Sequence, residues 1–185
     1  MLSVKHNMVR SSTKVITVLA LVTIAIFSYK AHYSKVCKVN SMLITAIKAG
    51  NLDSVRIALR NGADANCLDE ESRIDENPVP LLLYRIGEHS SISPPSALEV
   101  ASKKGDTAIV RLLLDAGALI NVNSFASTPL TEAVSYNNCD VVQLLLKNGA
   151  DVNLCGVWMG CPLAIAKSTN DSRMLLILKQ AGTTK

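Results

Sequence analysis

A chain of 185 residues has room for one buried core and a short extra segment, and is too short for two cores. Its 49% apolar and 18% charged residues exclude a disordered chain, and aromatics at only 4% favour closely packed small helices over a sandwich or barrel. The net charge of +4 does not mark a nucleic-acid surface, because Lys5, Arg10, Lys14, Lys30 and Lys35 all lie in the first 36 residues and the other 149 carry 14 basic and 15 acidic side chains.

Residues 1–14 form a basic leader, followed by Val15 to Tyr29 (VITVLALVTIAIFSY), 15 residues without a charge that Lys30 closes. Such a run predicts a membrane-targeting segment over 15–33, either a signal peptide or a transmembrane signal anchor. It makes about 22 Å of helix against a hydrocarbon layer of roughly 30 Å, which fits a signal-peptide core. The cleavage context argues the other way. Cutting after Ala31 puts Tyr29 at the −3 position and cutting after Ser28 puts Ile26 there, where small residues belong. As an anchor, the segment would bring Lys14 and Lys30 to the two interfaces. The alternative, a buried core helix, has no place in the repeats that follow, since the run is apolar on every face. Basic residues stand on both sides, so charge leaves the orientation open, although leading segments generally keep the N-terminus inside.

Behind this segment the chain repeats. Gly50, Gly105, Asn137 and Asn170 each stand twelve residues before another glycine: Gly62, Gly117, Gly149 and Gly182. Between the marks run NLDSVRIALRN, DTAIVRLLLDA, NCDVVQLLLKN and DSRMLLILKQA, with apolar residues at helical spacing and a glycine as left-handed helix end. Ahead of each first mark a second helix is predicted, in SMLITAIKA, SALEVASKK, TPLTEAVSY and CPLAIAKST. The small side chains of Ala46, Ala101, Ala133 and Ala166 let the paired helices approach closely. After the second glycine come ADAN, ALIN and ADVN, whose Asn66, Asn121 and Asn153 can bond the turn backbone. The units span about 41–66, 96–121, 128–153 and 161–182, in a domain over 37–185. The first marks are 55, 32 and 33 residues apart, so 22 surplus residues form an insertion at about 70–95. Its front is acidic (Asp69, Glu70, Glu71, Asp75, Glu76) and its middle apolar (Leu81, Leu82, Leu83, Tyr84, Ile86). It is either a binding loop or a surface loop folded back on the stack.

The strings TPL at Thr128 to Leu130, NGADAN at Asn61 to Asn66 and NGADVN at Asn148 to Asn153 resemble the ankyrin repeat. The resemblance covers about Ser41 to Gly182. It implies an all-α solenoid of about four helix-turn-helix units with β-turn fingers, here preceded by the N-terminal hydrophobic helix. It also implies a concave face of fingers and first helices where such proteins hold partner proteins. The family's histidine after TPL is replaced by Ile44, Glu99, Thr131 and Ala164, which is expected to remove its hydrogen bonds and lower stability. Leu119 replaces the aspartate of the GAD triplet in the second unit. Lys179 stands where the other units have Leu59, Leu114 and Leu146, as expected of a polar cap facing water.

Groups for catalysis are scarce. His6 and His32 flank the membrane segment, His89 sits in the insertion, and Asp53, Asp106, Asp140 and Asp171 are explained by helix starts. The cysteines match no zinc spacing and there is no phosphate-binding glycine loop. No metal, cofactor or small-molecule substrate is expected, and an enzyme built on Asp75, Glu88 and His89 is the remote alternative. Cys37, Cys67, Cys139, Cys155 and Cys161 permit two disulfides in an oxidising compartment, with Cys155–Cys161 one possible loop, or they are plain thiols.

Binding has better candidates. Lys48, Lys103, Lys104, Ser135, Tyr136, Ser168 and Thr169 stand just before the first marks, on the expected concave face, and Glu70, Glu71, Phe125, Trp158 and Met159 at the fingers. Trp158 and Tyr136 are the expected anchors, since such side chains dominate interface energetics. Their alternative is packing against the next finger, and the lysines' is a solvated face. Two readings compete: an exported domain, periplasmic or anchored in the inner membrane of a bacterium, that inhibits or scaffolds a protein as an immunity-like partner; or a cytosol-facing, membrane-anchored adaptor.

Overall fold

The computed structural model describes residues 23–25, 28, 34–69, 94–122, 127–157 and 159–183. The chain divides into two compact units, Met1–Lys38 and Val39–Lys185. In the first, the described residues 23–25, 28 and 34–38 are helical. Most of the proposed targeting segment lies outside the described residues. Among those described, no helix is long and apolar enough to cross a membrane.

The second unit is a run of helix pairs: α1 over 39–49, α2 Leu52–Arg60, α3 Ala97–Lys104, α4 Thr107–Asp115, α5 Pro129–Ser135, α6 Cys139–Lys147, α7 Pro162–Ser168 and α8 Ser172–Thr183. Local chemistry sets their ends. Ser96 and Glu99 form a reciprocal capping box at α3, as Thr128 and Thr131 do at α5, where Pro129 adds a preset φ. Asp106 accepts from the Ala108 and Ile109 amides at 3.0 and 3.1 Å, and Asp171 does the same for Arg173 and Met174 at 2.9 and 3.1 Å. The turn inside each pair is left-handed, at Gly50, Gly105, Asn137 and Asn170 with φ of 72°, 83°, 57° and 54°. The last glycine mark differs from expectation, because α8 runs through Gly182.

The core is aliphatic and continuous. Leu43, Ile47, Leu98, Ile109, Leu113, Leu145, Met174 and Leu178 are fully buried, and Ala101, Ala133 and Ala166 are at 0% exposure between them. α3 packs on α5 and α5 on α7, while α2, α4, α6 and α8 form the neighbouring row. A larger side chain at the alanine positions would push the first-helix row apart. Lys179 is exposed.

Asparagine side chains tie the first unit to the second and the second to the third. Asn66 Oδ1 accepts from the Leu119 amide at 2.7 Å while its Nδ2 donates to Gly117 O at 3.3 Å. Asn121 repeats this on Asp151 and Gly149, at 2.8 and 3.3 Å, and Asn40 Oδ1 accepts from Asp64 at 2.9 Å. The sequence pointed to these asparagines as ties within their own turns; the structure extends Asn66 and Asn121 to the turn of the following unit, because stacking brings that turn beside them. Asn138 works in the opposite direction. Its Nδ2 donates to Ser102 O and Lys103 O at 2.8 and 3.0 Å, and it makes no cap bond to its own helix.

The insertion leaves the stack through a closed neck. Leu68 pairs antiparallel with Ser96, the Asp69 amide donates to Pro95 O at 2.8 Å and the Ala97 amide to Cys67 O at 2.9 Å. Asp69 is buried and bonded by Lys48 at 2.9 Å, so it belongs to the neck and not to a solvated acidic front. The rest of the insertion, 70–93, lies outside the described residues.

The expected loss of hydrogen bonds at the family's histidine position is overturned in two units. Glu99 accepts from the Ser96 amide at 2.7 Å and from Ser127 Oγ at 2.9 Å, and Thr131 Oγ1 accepts from the Thr128 amide at 2.7 Å. Both side chains are short enough to turn back on the cap, and Glu99 also reaches the next finger.

Asn121→Ala removes two bonds between units and is expected to lower unfolding free energy by about 1–2 kcal/mol in urea titration. Gly105→Ala should cost more than Gly117→Ala, although both have positive φ. A Cβ at Gly105 would meet Asn138 Oδ1 at 2.5 Å, whereas nothing lies within 4 Å of one at Gly117. Equal losses would show that backbone strain alone, about 1–2 kcal/mol, decides both.

Candidate functional site

The first-helix ends line up along one face. Lys48 and Lys104 are exposed there but occupied: Lys48 holds Asp69, and Lys104 Nζ donates to the Lys48 carbonyl. These lysines tie the first two units and the neck together. Ser168 and Thr169 spend their hydroxyls on their own helix, with Ser168 Oγ donating to Ile165 O at 2.8 Å and Thr169 Oγ1 to Ala166 O at 3.2 Å. Ser135 is half-buried. Glu70, Glu71, Phe125 and Trp158 lie outside the described residues.

Lys103 and Tyr136 are brought together. Tyr136 caps the end of α5 with half of its surface exposed, and Lys103 Nζ stands over the ring at 5.1 Å from its centroid. The hydrogen bond to Tyr136 raises the Lys103 ammonium above its ordinary value; partial burial opposes this and the Tyr136 and Glu132 charges add to it.

Beside this pair is Glu132, one helical turn before Tyr136 on α5. Burial raises its carboxyl above the ordinary value; the Ser127 hydrogen bond and the Lys103 charge oppose, and the Glu99 charge adds to the rise. Glu132 Oε2 is shielded from solvent and has no hydrogen-bond partner among the described residues. Sequence reasoning missed Glu132, Glu99 and Ser127 as a cluster. The available signal was register: Glu132 is a carboxylate where the second and fourth units have Val100 and Ile165.

The last finger is built differently from the others. Cys155 and Cys161 are joined in a disulfide, and inside that loop Gly156 and Gly160 exchange backbone hydrogen bonds of 3.1 and 2.9 Å. Cys161 occupies the position where Ser96 and Thr128 cap their helices, and makes no cap bond. Val157 is 65% exposed at the finger tip and Met159 half-buried. A groove of about 400 Å³ runs between α2 and α4, between Arg56 and Arg111. Among the described residues no three His, Cys, Asp or Glu side chains come together as metal ligands.

Glu132 gives a signed prediction. A carboxyl whose folded-state value is raised contributes stability below its unfolded value and loses it as pH rises through the folded one. Glu132→Gln is therefore expected to raise stability at neutral pH by about 1 kcal/mol, with the gain fading in acid below the ordinary glutamate value. Urea midpoints of both proteins across pH check this, and a loss at neutral pH would contradict the burial account.

Comparison with known proteins agrees with the architecture. The family profile described as "Ankyrin repeats (3 copies)" matches residues 43–154. An ankyrin repeat protein of Fowlpox virus (strain NVSL) is 30% identical over 165 residues, covering 75% of this chain and 47% of its own length. Mouse ankyrin repeat and SOCS box protein 14 is 34% identical over 141 residues, 75% of this chain and 24% of its own. An ankyrin repeat protein of Rickettsia bellii is 28% identical over 140 residues, 72% of this chain and 59% of its own. The chain thus spans between a quarter and three fifths of the length of these relatives. With the helix pairs, the left-handed turns and the inter-unit asparagines in place, the chain belongs to the ankyrin repeat family.

Proposed function

We propose that this protein binds a partner protein along the first-helix ends and fingers of the stack, outside the cytoplasm, as an inhibitor, immunity-like partner or scaffold. Ankyrin repeats are protein-protein interaction modules, and the family is generally non-catalytic. The observation that carries the choice of surface is the half-exposed Tyr136, with Lys103 over its ring, since tyrosine is enriched at interface hot spots.

Two features support export. The charge-free run within 15–33 fits a signal peptide or anchor, and the Cys155–Cys161 disulfide suits an oxidising compartment. A second reading, a membrane-anchored adaptor facing the cytosol, is favoured by the unoxidised thiols of Cys37, which is exposed, and Cys139. The insertion at 70–95 is part of the proposed binding surface in either compartment.

Protease treatment of intact spheroplasts separates the compartments: digestion of the stack supports export, and protection overturns it in favour of the adaptor. For the surface, the partner recovered by affinity capture with the full chain should bind Tyr136→Ala about 30-fold more weakly, the loss typical of an aromatic hot spot. Unchanged affinity for Tyr136→Ala and Trp158→Ala would overturn the assignment of this face.

A further inference from the structure

The carboxylate of Glu132 is short of donors. Ser127 stands by both Glu132 and Glu99, but a hydroxyl has one proton, and in this structure it goes to Glu99 Oε1 at 2.9 Å. Lys103, whose charge reaches Glu132, is drawn over the Tyr136 ring. Glu132 Oε2 is left without a partner among the described residues. Nothing in the fold calls for a carboxylate here, since Val100 and Ile165 fill the same register position in the neighbouring units. A buried carboxylate oxygen left without a donor, in a side chain whose burial Ser127 and Lys103 offset only in part, is a mark of a binding site.

The charge balance states what would satisfy it. A second anion is disfavoured by Glu99 and Glu132 together, and a metal ion finds no third ligand among the described residues. A cationic side chain with several donors fits both the carboxylate and the adjacent aromatic face. When the Glu132 carboxylate turns outward to meet it, Oε2 leaves no hydrogen bond behind, and Ser127 keeps Glu99 as its acceptor.

We propose that Glu132 is the anchor for an arginine side chain of the bound protein, its guanidinium forked on the carboxylate and stacked beside Tyr136. This rests on the proposed binding surface and names the chemistry of its partner. Lys103 then plays the part of a resident competitor: it holds the Tyr136 face in the free protein and gives it up on binding.

The test is an NMR titration of the isotope-labelled full chain with acetyl-Gly-Arg-Gly-amide, with the citrulline tripeptide as the uncharged isostere. The expected result is a saturable shift of the Glu132 side-chain carboxyl signal, accompanied by Tyr136. Affinity should fall about tenfold or more in Glu132→Gln and for citrulline, and rise severalfold in Lys103→Met, where the competitor is gone. Those opposite signs are not expected of two merely structural residues. Saturation that is the same with citrulline, or unaffected by Glu132→Gln, overturns the proposal. Shifts at Tyr136 and Lys48 without Glu132 overturn the anchor and leave the binding surface standing, whereas shifts confined to α2 and α4 overturn both.

Discussion

The register of the first three units depends on carboxamides that reach from one unit into the next. A helix pair of this size cannot bury its apolar face by itself, so each unit is stable only against its neighbours. Apolar contact alone tolerates sliding between neighbouring pairs. Asn66 and Asn121 prevent it among the first three units, because each amide oxygen accepts from the same backbone position, at Leu119 and Asp151. Their amide nitrogens also bond the carbonyls of Gly117 and Gly149, just past the ends of α4 and α6. Register is thus set by directional bonds, and the aliphatic core of Ile47, Leu98, Leu113 and Leu145 fills in around it.

The same constraint explains how the chain accepts 22 surplus residues between its first two units. Asn66 meets Gly117 across 51 residues of sequence and Asn121 meets Gly149 across 28, with the same geometry. The extra chain is shut off at the neck by the pairing of Leu68 with Ser96 and of Asp69 with Pro95. A loop whose ends are already side by side adds little closure entropy, so its length is nearly free. Lys48 completes the neck by holding the buried Asp69 carboxylate, a partner that burial makes necessary.

Polar groups inside the first-helix row fall into two kinds. Glu99 and Thr131 are buried but matched: both bond their own caps, and Glu99 also reaches Ser127 of the next finger. Glu132 Oε2 has no hydrogen-bond partner among the described residues, and burial raises its carboxyl. The contrast between the two glutamates, one structural and one costly, separates what holds the stack together from what it offers to a partner. Lys103 and Tyr136 stand at that boundary, satisfied by each other and still exposed.

Helices, turns and unit boundaries were legible in the sequence because they follow from local chemistry: apolar spacing, capping Ser, Thr and Asp, and Gly or Asn at the left-handed marks. Ala101, Ala133 and Ala166 likewise announced close packing, since their small size has one use in a helix seam. The partners of Asn66, Asn121 and Asn138, the neck role of Asp69 and the rescue of the histidine position by Glu99 were not legible. Each depends on atoms 21 to 51 residues away, brought near only by stacking. The candidate site divides in the same way. Tyr136 was visible by type and position, whereas Glu132 acquired its meaning only when the fold took away its solvent and gave Ser127's proton to Glu99. Composition and spacing determine which elements form; tertiary structure decides which polar groups are left needing a partner, because that depends on who their neighbours are.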